Sequence, residues 1–165
     1  MSRLKALPLV AIVLALLACS ALPALATPTP TAKPTSTPDP ALAQNLQKWQ
    51  AQSITHYRFS LDVRCFCAFT GQMPLSIEVK DGQVVSETDK TGQSVAAPFK
   101  QAFDKYDSIE KLFTLLDAAQ NGGADLVTIE FDPQYGYPQT AYIDYMANVS
   151  DDENRFTISS FEVLK

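Results

Sequence analysis

Residues 56–67 read HYRFSLDVRCFC, and the alternation in this stretch decides the class of fold. Apolar side chains occupy every second position, and charged or polar side chains stand at most of the positions between them. The alternating apolar residues are Tyr57, Phe59, Leu61, Val63, Cys65 and Cys67. A period of two is typical of a strand that buries one face. The same period recurs over 75–79, 127–131 and 141–145, so the sequence predicts a sheet covered on one side.

Two helical patterns accompany these strands. The first follows Asp39-Pro40, where the aspartate suits an N-cap and the proline suits the first helical position. Its apolar residues are Leu42, Leu46 and Trp49. The second runs over 108–120, with Asp107 as the predicted N-cap and Asn121-Gly122 as the stop signal. Its apolar stripe, which predicts one buried helix face, is Ile109, Leu112, Phe113 and Leu116.

The order of these elements predicts the fold. Asp81-Gly82 joins two alternating runs and predicts a tight hairpin, since a type I′ turn needs positive φ at both positions. Phe161 is out of phase with Phe156 and Ile158, which predicts a bulge at Ser159-Ser160 in the last strand. We therefore expect an α+β domain in the order α-β-β-β-α-β-β-β. Its antiparallel sheet of about six strands would carry two helices on one face.

The N-terminus has the pattern of an export signal. Two basic residues, Arg3 and Lys5, precede an apolar run over 7–18. A helix needs about 20 apolar residues to span a bilayer, so this run is too short for a membrane span. It fits the apolar region of a signal peptide.

This apolar run ends in Leu16-Leu17-Ala18-Cys19, which resembles the bacterial lipobox, where the cysteine receives a diacylglycerol. We therefore predict a lipoprotein signal peptide at 1–18 and a lipid anchor on Cys19. The protein would then be held at a membrane of the bacterial cell envelope, outside the cytoplasm. The alternative is cleavage after Ala26, which would discard Cys19 and release a secreted protein.

Residues 19–40 are the predicted linker, and 41–165 are the predicted single domain. From 27 to 40 the sequence reads TPTPTAKPTSTPDP and contains no large apolar side chain. Such a segment cannot offset its ordering entropy by burial, so we expect an extended, polyproline-like spacer. At about 3.1 Å per residue it would hold the domain roughly 40 Å from its anchor.

The charge of the chain restricts its partners. There are 13 Lys and Arg residues against 18 Asp and Glu residues, for a formal net charge of -5. Removal of 1–18 would take two bases and no acid, which leaves 11 bases and a net charge of -7. A phosphate surface would be repelled, so we exclude nucleic acid and anionic lipid headgroups as partners. The predicted contact with the membrane is the lipid on Cys19.

Cys65 and Cys67 are the only cysteines besides Cys19. An even pair in an exported protein favours a disulfide. A bond between residues two apart requires the strand to bend and end near Cys65, because side chains two apart in a regular strand run parallel. A redox role and a copper(I) site that adds Met73 are the alternatives. Zinc is disfavoured because the chain has a single histidine, His56, and a structural zinc site needs four ligands.

No catalytic constellation is found in the sequence, and we predict no cofactor and no metal site. His56 has no nucleophile in a recognised motif beside it. Asp144, between two tyrosines, is the most notable carboxylate, although a solvated role is favoured. Asp151-Asp152-Glu153 resembles a polar turn more than a calcium loop, because the spacing of an EF-hand is missing. The turn Tyr135-Gly136-Tyr137-Pro138 is a candidate binding loop, with turn geometry as the alternative explanation.

A set of these features, taken in order, resembles a bacterial domain family of unknown function that occurs on secreted and lipid-anchored proteins. The set comprises Trp49, 56–59, Cys65-Phe66-Cys67, 79–85, 108–113, Asp132, 135–138 and Ile143-Asp144. The resemblance covers 49–165. It implies an exported α+β domain of about this size, and it implies no activity.

These observations together predict a membrane-tethered bacterial lipoprotein. We expect a binding or interaction module without enzymatic activity, and its ligand would be a protein, a peptide or an envelope glycan. The alternative is an envelope redox or metal-handling protein that uses Cys65 and Cys67.

Overall fold

The computed structural model describes residues 39–165. The predicted signal peptide at 1–18, the lipid anchor on Cys19 and the linker up to residue 38 lie outside the described residues. None of the helices within 39–165 is long and apolar enough to cross a bilayer.

The described chain forms three α-helices, one short 3-10 turn and six strands. In chain order they are α1 (Pro40–Ala51), β1 (His56–Cys65), the 3-10 turn (Thr70–Gln72), β2 (Leu75–Lys80), β3 (Gln83–Thr88), α2 (Ala97–Phe103), α3 (Ile109–Asn121), β4 (Leu126–Phe131), β5 (Pro138–Asp144) and β6 (Asn154–Val163). The strands form one sheet in the order β3-β2-β1-β6-β5-β4, and every pair is antiparallel. The first and last strands are therefore neighbours at its centre.

The predicted α+β class and the single antiparallel sheet of six strands are confirmed. The predicted order with two helices is wrong, because α2 lies between β3 and α3. This helix has only seven residues, no side chain caps its N-terminus, and Phe103 is its one fully buried residue. Phe99 and Ala102 are partly buried beside Phe103, so the apolar face of α2 covers only two turns, which is too short for a periodic pattern to indicate a helix.

The predicted N-cap residue is the observed one in α1 but not in α3. The carboxylate of Asp39 accepts a hydrogen bond from the Ala41 N–H, as predicted. The predicted N-cap Asp107 is wrong, since the Oγ of Ser108 accepts from the Lys111 N–H at 3.3 Å. Asp107 instead forms an ion pair with the Lys111 ammonium at 2.9 Å. Its carboxylate therefore contacts the side chain of the first helical turn rather than the backbone.

The two predicted irregularities of the sheet are both present. Asp81 and Gly82 have φ values of 50° and 74°, which suit the hairpin between β2 and β3. In β6 the pairing with β1 shifts register near Ser160, which has a φ of 52°. The extra residue restores Phe161 to the core side of the sheet, where it packs against Tyr57 with a ring separation of 5.8 Å.

A group of aromatic rings packs α1 against the sheet. Trp49 makes T-shaped contacts with Tyr57 at 5.4 Å and with Tyr137 at 6.4 Å between ring centroids. The carboxylate of Glu110 on α3 accepts from the Trp49 indole N–H at 2.8 Å and from the Tyr57 hydroxyl at 2.9 Å. Burial raises the pKa of Tyr57, and the negative charge of Glu110 raises it further. This arrangement satisfies the two buried donors and fixes α1 and α3 on the same face of the sheet.

Candidate functional site

The pairing of β1 with β6 brings together two features that lie far apart in sequence. Cys65, the last residue of β1, is the register partner of Asn154, the first residue of β6. The acidic turn Asp151-Asp152-Glu153 leads directly into that residue. The cysteine pair and the acidic turn therefore meet at one end of the two central strands.

Cys65 and Cys67 are joined by a disulfide, with their Cα atoms 5.2 Å apart. Strand β1 ends at Cys65, as the sequence predicted. The Cys67 N–H donates to the Cys65 carbonyl at 2.8 Å, which closes a three-residue turn with Phe66 at its tip. The side chain of Phe66 is 82% exposed. A disulfide and a backbone hydrogen bond thus fix the turn that presents this ring to solvent.

An open cavity of about 490 Å³ adjoins this turn, and we call it the disulfide cavity. Its apolar side is formed by the disulfide with Phe66, Phe69 and Ala102. The ring of Phe69 is held by Phe103 of α2 in an edge-on contact with 4.7 Å between centroids. The acidic side carries Asp151, Asp152 and Glu153, and the residues 104–106 that follow α2 complete the wall.

The charge of the disulfide cavity is strongly negative. Four carboxylates line it, together with Lys105 as the one basic residue among its lining residues. The carboxylate of Asp104 forms an ion pair at 2.8 Å with the Lys111 ammonium, which Asp107 shares. The ammonium of Lys105 lies over the ring of Tyr106, 4.9 Å from its centroid. Within 39–165, the three carboxylates at 151–153 form no ion pair.

Two residues of the disulfide cavity have buried acceptor oxygens without a partner in the described chain. Both carboxylate oxygens of Asp152 are buried, and neither has a hydrogen-bond partner there. Asn154 is only 6% exposed; its Nδ2 donates to the Tyr106 hydroxyl, whereas its buried Oδ1 has no partner among residues 39–165. Buried acceptors without donors are uncommon in native proteins, so these three oxygens mark a place where a donor is missing.

Tyr145 also lines this region and is half-buried. Burial raises the pKa of its hydroxyl, and the nearby Tyr106 raises it further, while Lys105 and a hydrogen bond with Asn154 oppose the shift. The hydroxyl therefore stays protonated at neutral pH. The phenol of Tyr145 therefore adds a neutral group to the lining of the disulfide cavity.

The predicted binding loop at 135–138 lies elsewhere and packs against α1. Tyr137 is 4% exposed and stacks on Phe161 at 4.6 Å, and Gly136 and Pro138 are buried. Tyr135 is partly buried and contacts the same Phe161 ring at 5.3 Å. This packing gives the turn a structural role, and its role in binding stays a prediction.

The remaining candidates of the sequence do not join the disulfide cavity. His56 pairs with Glu78 across β1 and β2 at 2.9 Å. Met73 is buried in the core, and both cysteine sulfurs are bonded to each other. Asp144 ends β5, and one of its oxygens is buried without a partner in the described chain. No group of three or more His, Cys, Asp and Glu side chains within 39–165 is arranged to hold a metal ion.

The model of a protein family described as a family of unknown function, DUF6174, matches residues 41–163. The chain belongs to this family. No curated protein and no solved structure matches it. The match confirms the predicted resemblance to a domain family of unknown function, and it spans every element from α1 to β6.

Sequence reasoning found two parts of the disulfide cavity in this DUF6174 domain and missed the third. The cysteine pair and the acidic turn were singled out separately, and nothing in their spacing indicates that they meet. Phe69 and residues 104–106 were not singled out. Their position depends on α2, whose apolar pattern covers only two turns.

Proposed function

We propose that this DUF6174 domain is a non-enzymatic binding module of the bacterial cell envelope, tethered to a membrane by a lipid on Cys19. In this proposal the ligand is recognised at the disulfide cavity. The observation that carries the proposal is the exposed Phe66, held on a disulfide-closed turn beside an open, acidic cavity.

An exposed aromatic ring on a fixed turn suits binding for a physical reason. Exposure of a large apolar side chain to water is unfavourable, and covering it by a partner recovers that free energy. A rigid ring also loses little conformational entropy on binding, which is why aromatic residues dominate the energetics of many interfaces. The disulfide and the hydrogen bond between Cys67 and Cys65 fix the backbone of the turn that carries the Phe66 ring.

The envelope location rests on the sequence. The lipobox ending at Cys19 and the Thr/Pro-rich spacer would place a folded domain about 40 Å from a membrane. The disulfide agrees with export, because such bonds persist mainly outside the cytoplasm. A domain tethered in this way would bind partners that lie within the length of the spacer from the membrane.

The location is tested by labelling cells with a fatty-acid analogue. The wild-type protein should carry the label and sediment with membranes, while the Cys19→Ala variant should do neither. Cys65→Ser together with Cys67→Ser serves as the control that retains the lipobox. An unlabelled wild-type product that begins at Thr27 would show cleavage after Ala26 and contradict the anchor.

The binding site is tested by photo-crosslinking in intact cells. A photoreactive phenylalanine is placed at Phe66, and in a second strain at Leu126, which is 49% exposed on edge strand β4. We expect a discrete adduct from the Phe66 position and none of that mass from the Leu126 position. The same adducts from both positions, or none from Phe66, would contradict the proposed site.

The redox or metal-handling alternative makes a different prediction for the same cysteines. It requires Cys65 and Cys67 to be free thiols in part of the cellular protein. Mass spectrometry without reductant should instead find the peptide that holds both residues two protons lighter. Two alkylatable thiols in freshly exported protein would favour the alternative.

A further inference from the structure

The disulfide cavity lacks hydrogen-bond donors at a defined place. The two oxygens of Asp152 and the Oδ1 of Asn154 are buried acceptors without a partner in the described chain. A buried carboxylate or amide oxygen without a donor costs free energy, and a ligand that supplies N–H groups would remove that cost. A ligand that brings further acceptors would raise it.

The charge of the disulfide cavity selects among donors. Asp151, Asp152 and Glu153 form no ion pair within 39–165, and the nearby Lys105 lies over the Tyr106 ring. A neutral donor would satisfy hydrogen bonds but would leave the three negative charges uncompensated. A protonated amine or a guanidinium supplies donors and positive charge together, and hydrogen bonds between charged groups are the stronger kind.

The apolar side of the cavity requires a second feature of the ligand. Phe66 and Phe69 lie on that side, and Phe66 extends into solvent at 82% exposure. A small amine that reached only Asp152 would leave the Phe66 ring in water. A ligand that covers the ring must carry an apolar group next to its cation.

We infer that the disulfide cavity binds a cationic, amphipathic peptide segment of a protein partner. In this complex a Lys or Arg side chain contacts Asp152 and Asn154, and a neighbouring apolar side chain packs on Phe66. The inference rests on the proposed binding function and names its ligand chemistry. A free polyamine shares the ammonium group but lacks the apolar part, so the two sources can be told apart.

The test uses the exported full chain and fluorescent peptides, with anisotropy as the measurement. The probes are Leu-Lys-Leu-Lys-Gly, its Ser-Lys-Ser-Lys-Gly analogue and Leu-Glu-Leu-Glu-Gly, with spermidine as a competitor. We expect the first peptide to bind at least about tenfold more tightly than either of the others, and to weaken as salt is added. Hydrogen exchange should show protection by this peptide at 65–67 and 151–154.

Because the whole domain is acidic, variants must show that the effect is local. Asp152→Asn keeps the size of the side chain and should weaken the Lys peptide about tenfold, the range for a charged hydrogen bond. Glu130→Gln removes the same charge from exposed β4 and should change the affinity less than about twofold. Phe66→Ala should weaken binding by about tenfold, whereas Leu126→Ala, its match on β4, should have no effect.

Several results would overturn the inference. Equal weakening by Asp152→Asn and Glu130→Gln would mean that only overall charge matters. Displacement by spermidine at the concentration of the peptide would indicate an amine site, and protection of 151–154 by Ca²⁺ without peptide binding would indicate a metal site. If no Lys peptide binds while Phe66 still crosslinks a partner in cells, the ligand chemistry is wrong and the binding function stands.

Discussion

Glu87 and Asp107 are two carboxyl residues whose surroundings disfavour their charge. Glu87 is partly buried near the end of β3, and its Oε1 has no hydrogen-bond partner among the described residues. Burial raises its pKa, and the negative charge of Asp107 raises it further, while Lys100 and Lys111 oppose the shift. Burial also raises the pKa of Asp107. Both carboxyl groups therefore bind a proton more tightly in the folded protein than in the unfolded chain.

The sign of the resulting pH dependence is unusual for a carboxyl group. Above its ordinary pKa of 4.5, an unfolded Glu87 has lost its proton, while the folded group keeps its proton up to a higher pH. Its contribution to stability is therefore lost as the pH rises through that window. We predict that Glu87→Gln raises the free energy of unfolding relative to wild type, with a difference that grows from pH 4.5 to pH 7. Urea unfolding at several pH values measures it.

The control for Glu87→Gln is Glu130→Gln, which removes an exposed carboxylate from β4. The difference in free energy of unfolding between Glu130→Gln and wild type should not grow from pH 4.5 to pH 7 as it does for Glu87→Gln. If the two variants show the same pH dependence, the partly buried position of Glu87 has no influence on its titration.

At this scale, residues with purely local roles could be predicted from the sequence. Asp39 precedes Pro40, and the pair at 81–82 sits between two strands, so each role depends on immediate neighbours. The choice between Asp107 and Ser108 as a helix cap depended on a side chain four residues away. Asp107 is held by the Lys111 side chain, and Ser108 takes the cap position instead.

Helix α1 and the turn between β4 and β5 approach each other closely at Gly136. This residue has a φ of 85°, and a Cβ there would lie 3.0 Å from the Asn45 carbonyl oxygen and 3.1 Å from the Lys48 side chain. The Lys48 ammonium also donates to the Pro133 carbonyl. The helix therefore rests directly on the backbone of the turn.

Gly136→Ala should destabilise the fold more than a comparable change at an open glycine. Gly92 is the matched control, because its φ is 80° and nothing lies within 4 Å of an added Cβ. Both variants should lose about 1–2 kcal/mol to the left-handed backbone. Gly136→Ala should lose an additional 1–3 kcal/mol, roughly the cost of overpacking. Denaturant unfolding of both variants measures the difference, and equal losses would show that α1 moves away freely.

Elements whose apolar period extends over several turns or positions were predictable, and the two-turn helix α2 was not. Helix α3 repeats its buried positions over three turns, whereas α2 has seven residues, with Phe103 buried and Phe99 and Ala102 partly buried. A helix this short forms because the neighbouring core holds its apolar residues, with Phe103 packed against Phe69. That cause lies in the tertiary structure, so the sequence of α2 alone cannot reveal it.

At the scale of the whole molecule, the sequence predicted the number of strands and the hairpin of β2 with β3, but not the other strand pairings. Alternation indicates that β1 and β6 each bury one face, and it carries no information about which strands pair. The candidate site depends on that pairing, since Cys65 and Asn154 meet only because β1 lies beside β6. The disulfide cavity was therefore beyond local reasoning, although its cysteine pair and its acidic turn each carry a local signal in the sequence.

The pairing of the first and last strands also determines how the molecule opens. Strands β1 and β6 have hydrogen-bonded neighbours on both sides, while β3 and β4 are the edges of the sheet. Because β1 and β6 are the first and last strands of the chain, their pairing at the centre of the sheet joins the β1-β2-β3 half to the β4-β5-β6 half. Neither central strand can exchange its amide hydrogens without breaking that centre, whereas an edge strand can open alone.

We therefore predict that amides of β1 and β6 exchange most slowly and at a common free energy of opening, while β3 and β4 exchange faster. Native-state hydrogen exchange followed by mass spectrometry measures all four strands in one experiment. Gly136→Ala, which destabilises the whole fold, should lower the protection of β1 and β6 by the same amount, equal to its loss in denaturant unfolding. Faster exchange of β6 than of β3 would mean that the last strand detaches alone. The cavity built where β6 begins would then open and close while the rest of the domain stays folded.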